Sequence, residues 1–273
     1  MNSSQLRQPD VCSSINTYIL NSVKSLYAVK DLKAVILAGG FGKRLRPLTE
    51  DRPKAMVEIC GRPLAEWQIL WLKKYGVDEI IFLLGYAKDK VIDYFGSGKK
   101  LGVKIGYVIE DEPLGTGGAI KNAEHLLKSE ELFMVVNGDV ITNLNPLAMK
   151  DTLVKDENAV ASIALVYMKS PYGVIKLDGE YIVEFVEKPT IEYTINAGVY
   201  LMKPAIFDYL PEKGDIEKTA FPILAQQKKL KGYVYGDALW KSIDTIKDLE
   251  EVSEKIRLFY PDIPIEGECG KHS

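Results

Sequence analysis

The chain has 273 residues, of which 47% are hydrophobic and 27% are charged, and its formal net charge is −3 at pH 7. This composition is typical of a water-soluble protein with a sizeable core, and the slight negative charge argues against a nucleic-acid-binding surface. Because no apolar run approaches the roughly 18 residues of a membrane span, we expect no membrane partner.

Residues 1–31 precede the first predicted strand. Within them Ile15, Ile19, Val23 and Leu26 recur every three or four residues, a spacing that suits an amphipathic helix. We treat this segment as an N-terminal extension, and the sequence assigns it no role.

Predicted strands and helices alternate after this extension. Helices of this length between strands predict right-handed βαβ units, and therefore a mainly parallel sheet that helices cover on both faces. The predicted strands are 33–37, 79–84, 103–109 and 132–136, and the predicted helices between them are 63–75, 87–95 and 117–128.

The second half of the chain has a different order, with several strands close together. Asp178-Gly179 between two of them is a hairpin signal, so we expect antiparallel strands to extend the parallel half into a mixed sheet. We predict one domain over residues 32–256 and a tail over 257–273. The predicted helices are 146–155, 215–229 and 245–256, and the predicted strands are 159–167, 173–177, 181–187 and 195–202.

A glycine-rich turn follows the first predicted strand, in the segment LAGGFGKRLRPLT at 37–49. Glycines adopt positive φ readily and let backbone N–H groups approach an anion, while cations neutralise phosphate oxygens. We interpret the segment as a cradle for a polyphosphate; the alternative is a plain strand-to-helix turn beside solvated cations. The glycines are Gly39, Gly40 and Gly42, and the cations are Lys43, Arg44, Arg46, Arg52 and Lys54.

Two familiar phosphate-binding motifs do not fit this turn. A P-loop needs glycine at position 37 and serine or threonine after Lys43, where the chain has Leu37 and Arg44. A dinucleotide-binding fingerprint needs a third glycine where Leu45 stands, and an acidic residue at the end of the second strand, which reads LLGY at 83–86. We set both motifs aside.

A buried strand ends in an aspartate. The apolar run LFMVV at 132–136 is followed by Asn137-Gly138-Asp139. Open α/β sheets bind ligands at the carboxyl ends of their parallel strands. Asp139 is therefore placed to bind Mg²⁺ near the glycine turn; the alternative is a turn aspartate that bonds its own backbone.

The three cysteines, Cys12, Cys60 and Cys269, are odd in number and far apart, so we expect neither a disulfide framework nor a zinc site. The N-terminus lacks the charged start, apolar stretch and cleavage site of a secretion signal. These features predict a soluble, cytoplasmic protein.

Seven motifs in order make the chain resemble the sugar-phosphate nucleotidylyltransferases, also called NDP-sugar pyrophosphorylases. The resemblance implies an α/β, Rossmann-like nucleotidyltransferase (GT-A-like) fold, in which a sugar 1-phosphate attacks the α-phosphorus of an NTP and releases pyrophosphate. The chain is most similar in its motifs to mannose-1-phosphate and heptose-1-phosphate guanylyltransferases. The motifs are LAGGFGKRLRPLT, PKAM at 53–56, EPLGTGGAI at 112–120, NGD at 137–139, YGVI at 172–175, VEKP at 186–189 and INAGVY at 195–200.

Under this resemblance the catalytic residues are Arg44, Lys54 and Asp139, with Mg²⁺ bound to Asp139. The attacking phosphate already carries about −1.5 to −2 charge at neutral pH, so no general base is needed. Catalysis then consists of neutralising and aligning two anions. The residues that the resemblance places around the nucleotide are Ala38, Gly39, Gly40, Gly42, Arg44, Lys54, Gly115 and Thr116.

The resemblance implies a second set of residues for the sugar phosphate. Taken alone, Glu187 and Lys188 would be a solvated charge pair at a strand end, and only the resemblance assigns them a ligand. It places Gly173, Glu187 and Asn196 on sugar hydroxyls, and it places Lys188 on the phosphate of the sugar.

One late motif departs from the family pattern. Where the family commonly carries a second metal-binding aspartate, this chain reads WKSIDT at 240–245. An ungapped match puts Ser242 at that position, whereas glucose-1-phosphate cytidylyltransferases have an MDT-like form that matches Asp244. We assign Asp244 as the second metal ligand. Its alternative role is at a helix start, since Thr245 and Asp248 resemble a capping box.

Several functions remain open at this level. The favoured one is an active enzyme that uses an NTP and a sugar 1-phosphate, with mannose-1-phosphate guanylyltransferase ahead of glucose-1-phosphate thymidylyl-, uridylyl- or cytidylyltransferases. The altered late motif alone favours a catalytically silent homologue that binds nucleotide sugar and regulates a partner. A metal-dependent glycosyltransferase is disfavoured, because the metal motif is NGD rather than DxD. The sequence leaves a homo-oligomer open.

Overall fold

A computed structural model describes residues 32–265 and residue 269. The α-helices of this part are α1 (Leu64–Lys74), α2 (Lys88–Phe95), α3 (Gly115–Asn122), α4 (Glu124–Leu127), α5 (Lys150–Val154), α6 (Ala220–Gln226) and α7 (Ile246–Phe259). Its strands are β1 (Lys33–Leu37), β2 (Glu58–Ile59), β3 (Arg62–Pro63), β4 (Glu79–Leu84), β5 (Lys104–Ile109), β6 (Phe133–Asn137), β7 (Val140–Thr142), β8 (Ala161–Lys169), β9 (Val174–Asp178), β10 (Tyr181–Val186), β11 (Thr190–Met202), β12 (Leu230–Tyr235) and β13 (Trp240–Ser242).

Seven strands form the central sheet, in the order β12-β8-β11-β6-β1-β4-β5. Neighbouring strands are parallel except where β11 lies between β6 and β8, to both of which it is antiparallel. The predicted α/β fold with a mixed, mainly parallel sheet is therefore confirmed.

Strand β1 lies inside this sheet, and Ala34, Val35 and Ile36 are all fully buried. Successive side chains of a strand point to opposite faces, so burial of all three shows that both faces are covered. Helix α1 belongs to this core, because Trp67 and Trp71 are buried and each donates its indole N–H to a backbone carbonyl.

Two three-residue strands, β7 and β13, form an antiparallel ladder outside the central sheet. Val140 pairs with Ser242, and the amide of Ile243 donates to the carbonyl of Asp139 at 2.8 Å. The ladder therefore places the end of the NGD motif beside the start of the segment that leads into α7. Strands this short show too few alternations to be predicted from sequence.

The largest departure from the predicted elements lies between residues 211 and 235. The predicted helix 215–229 is wrong over its first part, where the chain forms a loop before α6, and β12 follows. The loop is held by distant residues; for example, the amide of Gly214 donates to the carbonyl of Leu114 at 2.7 Å. The predicted helix 117–128 is divided into α3 and α4 at Ala123, and α7 continues to Phe259.

Cys60 and Cys269 form a disulfide across 209 residues of sequence. The expectation that no disulfide would be present is therefore wrong for this pair. A separation of this size leaves no spacing pattern for the sequence to reveal. In the described part of the chain, no helix combines the length and apolar character needed to cross a membrane.

The β9–β10 hairpin is a separate two-stranded sheet, and every residue of both strands is exposed. Its side chains include large apolar ones, such as Leu177 and Ile182, which are 63% and 60% exposed. The YGVI and VEKP motifs lie at the base of this hairpin, so the residues predicted for the sugar phosphate belong to an exposed part of the molecule.

Candidate active site

The carboxyl ends of β1 and β6 meet at one edge of the sheet, because these parallel neighbours pair Leu37 with Asn137. The amide of Gly138 donates to the carbonyl of Leu37 at 3.0 Å and joins the NGD turn to the glycine turn. A cavity of about 310 Å³ opens beside this junction; we call it the nucleoside cavity. Its lining includes Ala38, Gly39, Gly40, Phe41, Lys54, Glu110, Gly115, Thr116, Asp139 and Asp215.

A side chain at any of three glycines of this edge would clash with a neighbour or strain the chain. A Cβ atom at Gly138 would overlap the carbonyl oxygen of Leu37, and one at Gly39 would lie 2.5 Å from Oε1 of Glu110. Gly42 adopts φ +60°, in the left-handed region that glycine tolerates best. The glycine motif therefore serves local packing as well as leaving space for a ligand.

A second cavity of about 270 Å³ shares Gly40, Lys54 and Asp139 with the first; we call it the charged cavity. Nζ of Lys54 lies 2.8 Å from Oδ2 of Asp139 and 2.9 Å from Oδ1 of Asp244, so one ammonium bridges two carboxylates. Nη2 of Arg44 donates to the same Oδ1 of Asp244 at 2.8 Å. The Lys54 side chain is 15% exposed and that of Arg44 is 73% exposed, so Arg44 lies on the solvent side.

The neighbours of Asp244 favour its ionised form. Burial would raise the pKa of Asp244, but hydrogen bonds from Lys54 and Ser242 and the charges of Lys54 and Arg44 outweigh burial and lower it. The Ser242 hydroxyl donates to Oδ2 of Asp244 at 2.8 Å. The two residues that compete in the sequence for the second metal position thus lie together, and Ser242 supports the carboxylate.

Two local structures fix the chain beside the carboxylates. Gln68 is fully buried on α1, and its Nε2 donates to the carbonyls of Asn137 and Val140 at 2.9 Å each. These two bonds hold the NGD turn from behind. The capping box predicted from Thr245 and Asp248 is present at the start of α7. The cap therefore uses the residue after Asp244 and leaves the Asp244 carboxylate to the cations.

The loop of the EPLGTGGAI motif forms another wall of the nucleoside cavity. Gly115 adopts φ +75° and lines the cavity together with Thr116. The Thr116 hydroxyl donates to Oε2 of Glu217 at 2.7 Å and accepts from the amide of Ile216 at 2.9 Å. Because this hydroxyl is engaged within the protein, Thr116 presents its methyl group and backbone to the cavity rather than a spare donor.

Glu110 is an acidic residue in the wall of the nucleoside cavity. Burial raises the pKa of this half-buried carboxyl, and no cation of the described residues offsets that effect. Its Oε2 accepts one long hydrogen bond, at 3.4 Å, from the amide of Leu114. The cavity therefore contains a carboxylate with acceptor capacity to spare.

The residues predicted for the sugar phosphate lie mainly on the flanks of the β9–β10 hairpin. A Cβ atom at Gly173 would lie 3.1 Å from Oε2 of Glu187, so these two residues are neighbours. Nζ of Lys188 lies 3.6 Å from Oε1 of Glu187, and both side chains are largely exposed. Lys188 has φ +47°, which is uncommon outside glycine and is often found at functional sites. Asn196 lies on β11, where its Nδ2 donates to the hydroxyl of Tyr200 at 2.9 Å.

The structure thus brings the predicted nucleotide set together and leaves part of the predicted sugar set outside it. In the range that the structure covers, no hydrogen bond or ion pair joins Glu187 or Lys188 to the charged cavity. Sequence reasoning missed Glu110, Gln68 and Glu217, because nothing in their local sequence distinguishes them from solvated residues. The predicted residues that line the two cavities are Ala38, Gly39, Gly40, Gly42, Arg44, Lys54, Gly115, Thr116, Asp139 and Asp244.

The charged cavity fits the chemistry of a magnesium site. Carboxylate oxygens of Asp139 and Asp244 lie 2.8 and 2.9 Å from the same ammonium, Nζ of Lys54, so the two carboxylates are close enough to share one cation. Mg²⁺ usually takes one or two protein carboxylates and completes its shell with water and substrate phosphates. No group of three or more acidic, histidine or cysteine ligands occurs among the described residues. The residues present therefore suit a metal that is shared with a bound triphosphate.

The fold and the two cavities define an α/β protein with a glycine-lined, charged site at the carboxyl ends of its parallel strands. Residues 33–258 match the model of the nucleotidyl transferase family. The chain belongs to this family, and the resemblance carried by its seven motifs is confirmed.

Relatives of known activity include mannose-1-phosphate guanylyltransferases. The catalytic subunit beta of this enzyme from Dictyostelium discoideum is 37% identical over 225 residues, which make up 80% of this chain and 62% of the relative. The mannose-1-phosphate guanyltransferase of Saccharomyces cerevisiae is 36% identical over 227 residues with the same coverage. The chain thus spans 62% of the length of these relatives.

Solved structures are also similar to this chain. HddC from Yersinia pseudotuberculosis, complexed with GMP-PN, is 32% identical, has a TM-score of 0.63, and is matched over 83% of this chain and 100% of that chain. A putative glucose-1-phosphate thymidylyltransferase from Bacillus anthracis is 22% identical with a TM-score of 0.68, over 88% of this chain and 98% of that chain. The second similarity shows the shared fold.

Proposed function

We propose that the protein is a sugar-1-phosphate nucleotidylyltransferase, which joins an NTP to a sugar 1-phosphate and releases pyrophosphate. The observation that carries this proposal is the junction of the two cavities at Gly40, Lys54 and Asp139. One cavity is walled by the glycine turn and the EPLGTGGAI loop and suits a nucleoside, and the other gathers the charges that a triphosphate and its metal need. The family and the activity of the relatives support the same reaction.

The reaction must bring two anions together, and the cations of the site address that obstacle. A single pair of unit charges 4 Å apart repels by about 4 kcal/mol at an effective dielectric of 20, and each reactant has several charged oxygens. Lys54 and Arg44 bind the triphosphate in this proposal and hold its α-phosphorus for in-line attack. Bound Mg²⁺ on Asp139 and Asp244 would neutralise charge on the triphosphate and on the departing pyrophosphate. The sugar phosphate is already ionised, so no side chain has to remove a proton from it.

Glu110 makes GTP the favoured nucleotide. On its Watson–Crick edge guanine presents two adjacent donors, N1–H and the 2-amino group, which one carboxylate accepts together. Uracil and thymine would turn a carbonyl oxygen towards the carboxylate beside their single N–H, and adenine and cytosine pair one donor with one acceptor. The names of the relatives, which are guanylyltransferases, favour the same base.

Mannose 1-phosphate is the favoured sugar substrate, because it is the sugar phosphate in the names of the relatives. Gly173, Glu187 and Asn196 are the proposed contacts to its hydroxyls, and Lys188 is the proposed contact to its phosphate. The left-handed backbone of Lys188 supports a functional role for this residue.

A catalytically silent regulator is the weaker proposal. Its only support in the sequence is the altered WKSIDT motif, yet Asp244 of this motif lies 2.9 Å from Nζ of Lys54 in the charged cavity. No carboxylate is therefore missing from the site. Cytoplasmic location stays a prediction, and the Cys60–Cys269 disulfide argues against it, since such bonds persist mainly in oxidising compartments. A homo-oligomer also stays a prediction.

The test is a pyrophosphate-release assay with Mg²⁺, in which GTP, ATP, CTP, UTP and dTTP are each paired with the 1-phosphates of mannose, glucose, galactose and N-acetylglucosamine. We expect GTP with mannose 1-phosphate to give the highest kcat/KM. Activity with no pair, despite tight binding of GDP-mannose, would support the regulator instead.

Variants identify the roles within this assay. Asp139→Asn should abolish turnover, whereas Asp93→Asn, a matched change at an exposed position on α2, should leave it intact. Glu110→Gln should raise the KM for GTP by about tenfold or more, because one of the two guanine donors then faces an amide N–H₂. If Glu110→Gln changes no nucleotide preference, the contact assigned between Glu110 and the base is wrong while the reaction class stands.

A further inference from the structure

The loop over residues 211–219, here called the clasp loop, lies directly against the EPLGTGGAI loop. The amides of Gly117 and Gly118 donate to the carbonyl of Gly214 at 2.9 and 3.1 Å. A Cβ atom at Gly115 would lie 2.7 Å from the backbone carbon of Gly214, so the glycines of this motif permit the close approach of the clasp loop. The wall of the nucleoside cavity is thus built from two segments about 100 residues apart, and its geometry depends on the clasp loop.

Glu217 of the clasp loop accepts hydrogen bonds from two directions. Its Oε2 accepts from the Thr116 hydroxyl at 2.7 Å, and its Oε1 accepts from the hydroxyl of Tyr200 at 3.4 Å. Tyr200 is fully buried on β11, and burial raises its pKa, so its hydroxyl keeps its proton to donate. The same hydroxyl accepts from Nδ2 of Asn196 at 2.9 Å. Every donor in this chain of bonds has an acceptor when Glu217 is ionised.

The chain of hydrogen bonds ends at Gly198, whose amide donates to Oδ1 of Asn196 at 2.8 Å. Gly198 has φ +68° and packs closely on the NGD turn, since a Cβ atom there would lie 2.8 Å from Nδ2 of Asn137. One continuous set of hydrogen bonds therefore runs from the wall of the nucleoside cavity to the proposed sugar contact Asn196.

We propose that Glu217 is a positioning residue. Through Thr116 it holds the wall of the nucleoside cavity in place, and through Tyr200 it holds the proposed sugar contact Asn196. This inference rests on the proposed function, because it takes the two ends of the chain of bonds to be the two substrate sites. Glu217 touches neither substrate itself. Breaking the chain at different links should therefore affect different substrates.

Three near-isosteric variants separate the links. Thr116→Val removes the hydroxyl on the nucleoside side and should raise the KM for GTP by about tenfold, with the KM for mannose 1-phosphate within about twofold of wild type. Tyr200→Phe removes the link on the sugar side and should do the reverse. Glu217→Gln turns one of the two acceptor oxygens into an N–H₂ donor, so one of the two links is lost and only the KM of the substrate on that side should rise, whereas Glu217→Ala should raise both KM values.

The controls exclude a purely structural effect. Thr116→Ser keeps the hydroxyl and should restore the KM for GTP, and Glu212→Gln changes an exposed carboxylate on the same loop and should change neither KM. The combined Thr116→Val and Glu217→Ala variant should have the same KM for GTP as Glu217→Ala alone, since one link is lost only once.

Two results would overturn the inference. The first is a set of variants whose melting temperatures fall while both KM values stay within twofold of wild type, which would make Glu217 a structural residue only. The second is equal effects of Thr116→Val and Tyr200→Phe on both substrates. If the wild type turns over no substrate pair, the proposed function fails. Calorimetric titration of each variant with GTP alone and with mannose 1-phosphate alone then tests the inference separately: Thr116→Val should raise only the Kd for GTP, and Tyr200→Phe only the Kd for mannose 1-phosphate.

Discussion

The nucleotide side and the sugar side of the candidate site are built in different ways. On the nucleotide side, the turns after β1 and β6 are joined by backbone hydrogen bonds, and Lys54 lies between two carboxylates with only 15% of its side chain exposed. On the sugar side, Glu187 and Lys188 lie at the base of a fully exposed hairpin and contact each other at 3.6 Å. The first region is assembled before any ligand binds, whereas the second has few contacts that hold it in one position.

The proposed reaction explains this difference in rigidity. It requires a triphosphate whose α-phosphorus is aligned, and alignment depends on groups that do not reorganise during the reaction. It also requires a sugar phosphate to enter beside the nucleotide, and an exposed hairpin can move to admit and enclose it. We therefore expect changes among the turns and charged residues that hold the triphosphate to affect kcat and stability, and changes on the exposed hairpin to affect the KM for the sugar phosphate.

Substitutions of Lys54 on the nucleotide side and Lys188 on the sugar side test this comparison most directly, and the first has the largest expected effect. Lys54→Met removes the cation that contacts both carboxylates and the proposed triphosphate site, and it should lower kcat by about 10²–10³-fold. Lys188→Met removes an exposed cation from the hairpin and should raise the KM for the sugar phosphate by about tenfold with kcat within about threefold. Steady-state kinetics with each substrate varied in turn measures both. Equal losses of kcat in the two variants would remove the distinction between the two sides.

The next effect concerns stability. Gly138→Ala places a methyl group on the carbonyl oxygen of Leu37, where the backbone cannot retreat, and should destabilise the protein by about 3 kcal/mol. Gly173→Ala places its methyl 2.7 Å from the ring of Phe185, but this side chain lies on the exposed hairpin and has room to turn, so the melting temperature should fall little.

Gly40→Ala is the matched control for this pair, because a Cβ atom at Gly40 meets nothing within 4 Å. Its melting temperature should equal that of wild type in the absence of ligand. Thermal unfolding of the three variants decides the comparison, and a fall for Gly173→Ala as large as that for Gly138→Ala would show that the hairpin is as tightly packed as the nucleotide side.

The same contrast explains how far the sequence could predict the structure. Strands β1 and β4 have the predicted bounds, because each is a continuous apolar run that is buried on both faces. Strands β7 and β13 are too short to leave a pattern, although their pairing is what brings Asp244 towards Asp139. Residues 215–219 of the clasp loop were expected to begin a helix, because the local sequence shows nothing of the hydrogen bonds that the loop makes with a segment about 100 residues earlier.

Prediction of the candidate site from the sequence has the same limit. Motifs predicted ten of the residues that line the two cavities, since glycines and charges at fixed spacing are recognisable in sequence. Glu110 and Glu217 left no such signal, because a glutamate in a loop is usually solvated, and only the tertiary structure turns these two inwards. The two residues that the proposals add to the site are therefore those that the sequence identified least.

The smallest expected effect compares two carboxylates on the nucleotide side through their pH dependence. The folded-state pKa of Asp244 is lowered below 3.8 because hydrogen bonds and cations outweigh its burial, so its ionised form stabilises the fold. That contribution is present above the unfolded pKa and is lost as the pH falls through the folded one. Asp244→Asn should thus lower the melting temperature at pH 7, by about 1–2 °C, and progressively less as the pH falls below 3.8.

Glu110 should behave in the opposite way. Burial raises its folded-state pKa above 4.5, so its ionised form opposes folding at pH 7 and this effect disappears as the pH falls below 4.5. Glu110→Gln should therefore raise the melting temperature at pH 7 by about 1–2 °C and leave it unchanged at pH 4. In the proposed complex the two guanine donors would offset this cost, so saturating GTP should reverse the order of the two melting temperatures. If GTP stabilises Glu110→Gln as much as wild type, the carboxylate does not contact the base.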